Sequence, residues 1–243
     1  EMRISLEKQL AKIHEQKRRD PVATGEAWAR IATLTPSDEG ALTTAVRHFE
    51  KGERPDLAAN VIADTVAHIE DERTRTQMYK KLGKLRWSSG DMLGAGDAFA
   101  EGAAIGGDGA MWEEAERAFV AADAWDQAAT SIDSRAQLMK KESEQAALYA
   151  TEADYLVRAG DDASAVLKLE QATELDAEND DYARALEERF NEGGRIEDLA
   201  AFLTRRAEKL TGKQKRIELR RRAATLQRDE LADPDAARES LKA

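Results

Sequence analysis

Apolar residues recur at helical spacing along almost the whole chain, and no stretch alternates between apolar and polar residues as a half-buried strand does. Short breaks rich in Gly, Asp and Pro interrupt this pattern. Glycines past a helix end favour a stop, because Gly tolerates the left-handed conformation; these are Gly52, Gly90, Gly160 and Gly193-Gly194. Starts are predicted where acidic or hydroxyl side chains can accept hydrogen bonds from free backbone N–H groups; these are Ser37-Asp38, Asp91, Asp161-Asp162 and Asp233-Pro234.

The breaks divide the chain into seven helical hairpins, each with a helix A followed by a helix B. The A helices are predicted over residues 3–18, 38–51, 74–88, 109–121, 143–158, 180–191 and 213–229. The B helices are predicted over residues 21–34, 55–69, 92–105, 125–140, 162–175, 196–210 and 234–243. Short links make consecutive helices pack antiparallel. The pattern therefore predicts an all-α protein.

The breaks between helices recur at a nearly constant interval. The positions of Asp20-Pro21, Asp91, Asp161 and Asp233-Pro234 increase in steps of 71, 70 and 72. A second series, Gly52, Asp123 and Gly194, is spaced by 71 and 71. Repetition on this scale is typical of stacked supersecondary units that cannot bury their apolar faces alone. It favours an elongated binding solenoid over a compact enzyme with one cleft.

The third hairpin carries the clearest copy of a known motif. Tyr79, Leu82 and Gly83 on helix A are followed by Ala95 and Phe99 on helix B, which gives aromatic-x2-Leu-Gly and then Ala-x3-Phe. This spacing resembles the tetratricopeptide repeat (TPR), and the paired rhythm resembles the long TPR arrays of large bacterial proteins. The resemblance implies one right-handed superhelical solenoid over residues 1–243, with A helices lining a concave groove. We expect it to be a fragment of a longer array.

Charge is unevenly distributed along a chain whose net charge is −11. Residues 88–194 carry 8 basic and 25 acidic groups, whereas both flanks are slightly basic. An acidic middle disfavours nucleic-acid binding along the whole surface. No apolar run approaches the roughly 18 residues needed to cross a membrane, and the absence of cysteine leaves no thiolate chemistry. We expect a cytoplasmic protein.

Residues suited to catalysis or cofactor binding are few. His14, His48 and His68 lack metal-ligand spacing, and packing or surface positions are the simpler interpretation. The glycines between 102 and 109 lack the Lys-Ser/Thr of a phosphate loop and are interpreted as a flexible link. Acidic residues at 176–181 are interpreted as helix-start charges. The sequence therefore predicts no enzyme, no cofactor and no metal site.

The third A helix offers the better candidate site. Lys80, Lys84 and Trp87 occur at i, i+4 and i+7 and so share one face. The family resemblance points this face into the groove, where Arg47 on the preceding A helix would join them. Lys8 and Lys12 on the first A helix would extend a basic strip. An acidic or carboxylate-ended peptide, or a partner helix, would suit this site, and a solvated charged face is the alternative.

Three other interpretations stay open. The array could act as a structural spacer or self-assembly element, packing end to end or with sister subunits as a homo-oligomer. The ends of the segment could instead be stacking faces for further repeats, in which case Leu226, Leu231 and Leu241 would be partly uncovered. The basic run between Lys213 and Arg222 could contact phosphates, although it lacks the aromatic residues of single-strand binders.

Overall fold

The computed structural model describes residues 1–242, which form fourteen α-helices. The odd-numbered helices are α1 (Met2–Ile13), α3 (Glu39–Lys51), α5 (Glu72–Ser88), α7 (Gly109–Ala121), α9 (Glu142–Ala159), α11 (Asp180–Glu192) and α13 (Lys213–Asp229). The even-numbered helices are α2 (Pro21–Leu34), α4 (Pro55–Thr65), α6 (Met92–Gly106), α8 (Trp125–Ala136), α10 (Asp162–Leu175), α12 (Ile196–Lys209) and α14 (Pro234–Lys242). The prediction of seven all-α hairpins is confirmed; its last residue, Ala243, lies outside the described residues.

The helices form two compact units, the first ending at Ser131 and the second beginning at Ile132. Within each unit, helices that follow one another along the chain pack together, as in α4 with α5 and in α12 with α13. The first unit has a core built mainly from α2 to α5, and the second has one built mainly from α10 to α13. The hairpins of each core therefore bury apolar residues against the helices that follow or precede them.

Side-chain caps start the helices where the sequence predicted them. Asp91 accepts a hydrogen bond from the Gly94 N–H at 3.0 Å, and Asp161 accepts one from the Ser164 N–H at 3.0 Å. Asp233 accepts one from the Ala236 N–H at 2.9 Å. Each bond satisfies a backbone donor that the first helical turn leaves free.

Each turn between helix A and helix B contains one residue with a positive φ. In the seven described hairpins these residues are Arg19, Glu53, Gly90, Asp123, Gly160, Gly194 and Ala232. The series matches the predicted repeat interval with one correction. Glu53 at φ 55° is the left-handed residue of the second turn, whereas Gly52 at φ −90° is not. What recurs in every turn is therefore the left-handed backbone conformation and not a particular residue type.

Three further details differ from the predicted helices. The first A helix ends in a π-helical turn over residues 14–18, which accommodates an extra residue before Asp20. Helix α8 ends at Ala136 rather than at residue 140. Gly102 and Gly106 lie inside α6 and are not a flexible link. A Cβ atom on Gly102 would lie 2.6 Å from the Met111 sulfur, so this glycine allows close helix packing.

The TPR-like motif of the third hairpin packs as its spacing implies. Leu82 is buried, and a Cβ atom on Gly83 would lie 2.6 Å from the Phe99 ring. The ring of Phe99 therefore fills the space that the missing side chain leaves between α5 and α6. The same arrangement occurs between Gly25 and Phe49, where the corresponding distance is 2.8 Å.

Candidate functional site

The two lysines predicted on α5 line one cleft in the first unit. Lys80 and Lys84 border a space of about 410 Å³ between α3 and α5. Gln77, Lys81 and Leu85 complete the α5 side, and Glu50 is contributed by α3. Neither Lys80 nor Lys84 forms a hydrogen bond or ion pair within residues 1–242, so both ammonium groups are available to a ligand.

Lys80 also borders a second cleft on the other side of α5. This space of about 460 Å³ is lined by residues from α5, α6 and α7 and from the link between α6 and α7. Gln77 and Lys80 belong to both clefts and form the ridge between them. A ligand lying along α5 could contact Lys80 from either side.

Arg47 and Trp87 lie close to the first cleft along their helices but are not among its lining residues. Arg47 is exposed on α3, one helical turn before Glu50. Trp87 is 38% exposed on α5, three residues after Lys84, where the two side chains share a face. The structure therefore places Lys80 and Lys84 together, with Arg47 and Trp87 at the margin.

One contact of the cleft was not predicted from the sequence. The Lys81 ammonium group lies 2.7 Å from a carboxylate oxygen of Glu50 and links α5 to α3. Glu50 places a negative charge beside Lys80 and Lys84, and the ion pair with Lys81 offsets it. No local pattern could reveal this pair, because its two residues are far apart in the chain and lie on different helices.

The same cleft recurs elsewhere in the chain. In the second unit, α11 and α13 border a space of about 560 Å³. Adding 141 to each residue number of the first cleft gives six residues that all line this second one: Asn191, Glu218, Arg221, Arg222, Thr225 and Leu226. On α1, Lys8 and Lys12 border a similar space of about 490 Å³, and adding 72 to their numbers gives Lys80 and Lys84. Basic side chains thus recur at equivalent positions on α1, α5 and α13.

The basic run on α13 is partly neutralised by neighbouring helices. Lys215 lies 2.6 Å from Asp180, and Arg222 lies 2.5 Å from Glu187. Asp180 also accepts a hydrogen bond at 2.5 Å from Arg206, a buried residue on α12. Asp180 at the start of α11 therefore links this helix to both α12 and α13. The described residues contain no cluster of three metal-ligating side chains.

His48 and His68 occupy a packing position and a surface position, respectively. His48 is buried on α3, and burial lowers its pKa, although the nearby carboxylate of Glu15 opposes the shift. His68 is exposed, as predicted.

The most strongly perturbed carboxyl group lies in the second unit and was not singled out from the sequence. Glu152 on α9 is 4% exposed, and burial raises its pKa to about 7. The Lys168 ammonium group lies 3.0 Å from one of its oxygens and also pairs with Asp133. Lys168 in addition lies over the Tyr149 ring. These contacts join α8, α9 and α10, which indicates a structural rather than a catalytic role.

No protein-family model matches the sequence, and no curated protein matches it. Solved structures similar to this chain include TPR-repeat proteins. One is the C-terminal part of a TPR repeat-containing protein from Cytophaga hutchinsonii, with 11% identity and a TM-score of 0.38; the match covers 98% of this chain and 93% of that one.

Two further solved structures have comparable TM-scores. One contains the nearly identical TPR-like repeats of a kinesin light chain from Podospora anserina, with 16% identity and a TM-score of 0.38, covering 80% of this chain and 97% of that one. The other is MamA, with 14% identity and a TM-score of 0.37, covering 74% and 95%. Among the described residues, no helix is both long and apolar enough to cross a membrane.

Proposed function

We propose that this chain is a noncatalytic scaffold that binds a peptide or partner helix at Arg47, Lys80, Lys84 and Trp87. The observation that carries the proposal is the cleft between α3 and α5. Two of its three lysines, Lys80 and Lys84, are without an ionic partner in residues 1–242, and a basic side chain recurs in the equivalent clefts of α1 and α13. A carboxylate-rich ligand would supply the missing charge.

The exposed ring of Trp87 gives the site an apolar anchor. Tryptophan is among the residues that contribute most to binding energy when a partner covers them. An acidic segment carrying one apolar side chain could place carboxylates at Lys80 and Lys84 and its apolar side chain on Trp87. This arrangement favours a mixed acidic and apolar ligand over a purely acidic one.

The proposal is tested with labelled ten-residue peptides rich in Asp and Glu that contain one Leu, measured by fluorescence anisotropy. The double variant Lys80→Glu and Trp87→Ala should weaken binding by roughly tenfold or more, since charge reversal and loss of the anchor each remove favourable contact. Lys140→Glu with Leu138→Ala is the matched control, because both residues lie outside the cleft on the surface of the second unit. Equal affinities for all three proteins would refute the site.

A further inference from the structure

Helix α5 carries a continuous stripe of solvent-accessible side chains along almost its whole length. Arg73, Gln77, Lys84 and Trp87 are exposed and Lys80 is half-buried, and these five positions follow one another at steps of four, three, four and three residues. This spacing keeps side chains on one face of a helix, and it is also the spacing by which two helices pair side by side. The α5 stripe thus extends the proposed site by two helical turns toward the start of α5.

The α5 stripe borders both clefts that flank this helix. Arg73, Gln77 and Lys80 line the cleft on the side of α7, and Gln77, Lys80 and Lys84 line the cleft on the side of α3. Arg73 therefore opens onto the same surface as the two lysines of the proposed site. A ligand that lies along α5 would contact all three cations.

The positive charges of the α5 stripe are not used within the fold. Arg73, Lys80 and Lys84 form no hydrogen bond or ion pair within residues 1–242, and the stripe contains no acidic residue. By contrast, Lys81 beside the stripe pairs with Glu50. Three cations without a partner on one helix face favour a ligand that brings carboxylates.

The carboxylates that line the two clefts already have partners. Glu50 pairs with Lys81, and Glu72 lies 4.0 Å from Arg75. Asp108 accepts hydrogen bonds from backbone N–H groups in the first turn of α7. The residues lining the clefts therefore do not supply the carboxylates that would balance the stripe.

The spacing of the three cations distinguishes a helical ligand from an extended one. Along the axis of α5, Lys80 lies about 10.5 Å from Arg73 and about 6 Å from Lys84, at about 1.5 Å per residue. An extended segment rises about 3.3 Å per residue and alternates its side chains between two faces. Two carboxylates on one of its faces can reach Lys80 and Lys84, but the position level with Arg73 then lies on the opposite face. A helix with carboxylates at i, i+7 and i+11 faces all three cations at once.

We propose that the ligand of this site is an acidic amphipathic helix that lies along α5, with carboxylates at the spacing of the stripe and an apolar side chain on Trp87. This assignment rests on the proposed function and adds to it the helical conformation of the ligand and a contact with Arg73. Gln77 lies between Arg73 and Lys80, and its amide can both donate to and accept from a polar side chain of the same helix.

The length of the stripe sets the length of the probe. From Arg73 to Trp87 the stripe spans about 21 Å, or about four helical turns. An isolated helix of about 15 residues is only marginally stable in water, so a free segment would have to fold when it binds. A covalently stabilised helix should bind more tightly, because it does not lose this conformational entropy.

The probes are a labelled Ala- and Gln-rich peptide of about 18 residues and the peptide of reversed sequence, since the ligand helix can run in either direction along α5. Each carries Glu at i, i+7 and i+11 and Leu at i+14 or in the reversed order, with a hydrocarbon staple on the far face. Fluorescence anisotropy with the full chain should show saturable binding of one of them. Arg73→Ala should weaken this binding by roughly fivefold, whereas Lys140→Ala, which removes an exposed positive charge from the second unit, should leave it unchanged.

Two further probes separate helical conformation and spacing from charge alone. Two central prolines in the unstapled peptide keep every Glu and the Leu but prevent a continuous helix, and binding should weaken by roughly tenfold or more. A stapled peptide of the same composition, with its Glu residues distributed around the helix, should also bind more weakly. Equal binding of this last probe would indicate general charge attraction and would overturn the assignment.

The outcomes distinguish a failure of the helical ligand from a failure of the proposed function. Suppose that the proline-containing probe, or the ten-residue acidic peptides alone, bound in a way that depended on Lys80 and Trp87 but not on Arg73. The ligand would then be extended, and the proposed function would stand without the further assignment. If neither the stapled probes nor the ten-residue peptides bound, both would be refuted. Circular dichroism of Arg73→Ala verifies that this exposed substitution leaves the fold intact.

Discussion

At the scale of single residues, the turns between paired helices show that the left-handed conformation is adopted by glycine and by other residues alike. Gly90, Gly160 and Gly194 adopt the left-handed conformation without a steric cost, whereas Glu53 and Ala232 adopt it with a Cβ atom present. For an ordinary L-residue this conformation costs roughly 1–2 kcal/mol. The array therefore keeps its turn geometry even where the sequence does not favour it.

We expect Ala232→Gly to raise the free energy of unfolding by about 0.5–1 kcal/mol, because glycine removes the strain of the left-handed turn. Gly160→Ala should lower it by about 1 kcal/mol or more. A Cβ atom at Gly160 would meet nothing within 4 Å, so only the backbone contributes. Urea denaturation followed by circular dichroism measures both, and a stabilising Gly160→Ala would contradict the explanation.

These turns also show how far local sequence signals reach. Asp91 and Asp161 were predicted as helix starts because the cap depends only on a side chain and the next few backbone groups. Glu53 was not predicted as the left-handed residue of its turn, because the neighbouring Gly52 is the stronger local signal for that conformation. The path of the chain places the left-handed conformation at Glu53 instead. The Lys81–Glu50 pair was missed because it depends on how two helices align, which no short pattern records.

At the scale of helices, ion pairs link elements one hairpin apart in the second unit. Glu170 on α10 pairs with Arg205 on α12, and Glu187 on α11 pairs with Arg222 on α13. Both pairs have a sequence separation of 35, and so do Asp133 and Lys168. The first pair is partly exposed and should add little stability, whereas Lys168 also neutralises buried Glu152.

Lys168→Met should therefore destabilise the second unit by about 3–5 kcal/mol, because it leaves the Glu152 carboxylate buried without its partner. Arg205→Met is the control and should cost less than about 1 kcal/mol, since its pair with Glu170 lies near solvent. Urea denaturation at pH 8 compares the two variants. If both variants lost a similar free energy of unfolding, the contacts of Lys168 with Glu152 and Asp133 would stabilise the protein no more than a surface ion pair does. Adding Glu152→Leu should restore part of the loss.

At the scale of the whole molecule, the two units should respond to pH in opposite directions. The pKa of His48 is lowered by burial in the first unit, so the unfolded state binds more protons and stability falls as pH decreases below about 6.5. The pKa of Glu152 is raised to about 7 in the second unit. There the folded state binds more protons, and stability falls as pH increases from about 5 to 7.

All four tryptophans, Trp28, Trp87, Trp112 and Trp125, precede Ser131, so their fluorescence reports on the first unit alone. Urea transitions recorded by tryptophan fluorescence should move to higher urea between pH 5 and 7. Circular dichroism should reveal a second transition that moves to lower urea over the same pH range. The free energy of unfolding of the second unit should fall by on the order of 2–3 kcal/mol. Glu152→Gln should remove the second shift and leave the first, and parallel shifts in both signals would contradict the assignment.

Buried positions recur with an offset of 141 between the two units, which bears on how chains of this kind change length during evolution. Ala58 and Ile62 on α4 correspond to Leu199 and Leu203 on α12, and Phe49 on α3 corresponds to Phe190 on α11. An in-frame recombination that joined residue 57 directly to Leu199 would place the apolar positions of α12 in the register that those of α4 occupy. Such an event would shorten the array by two double repeats and keep the spacing of its buried positions.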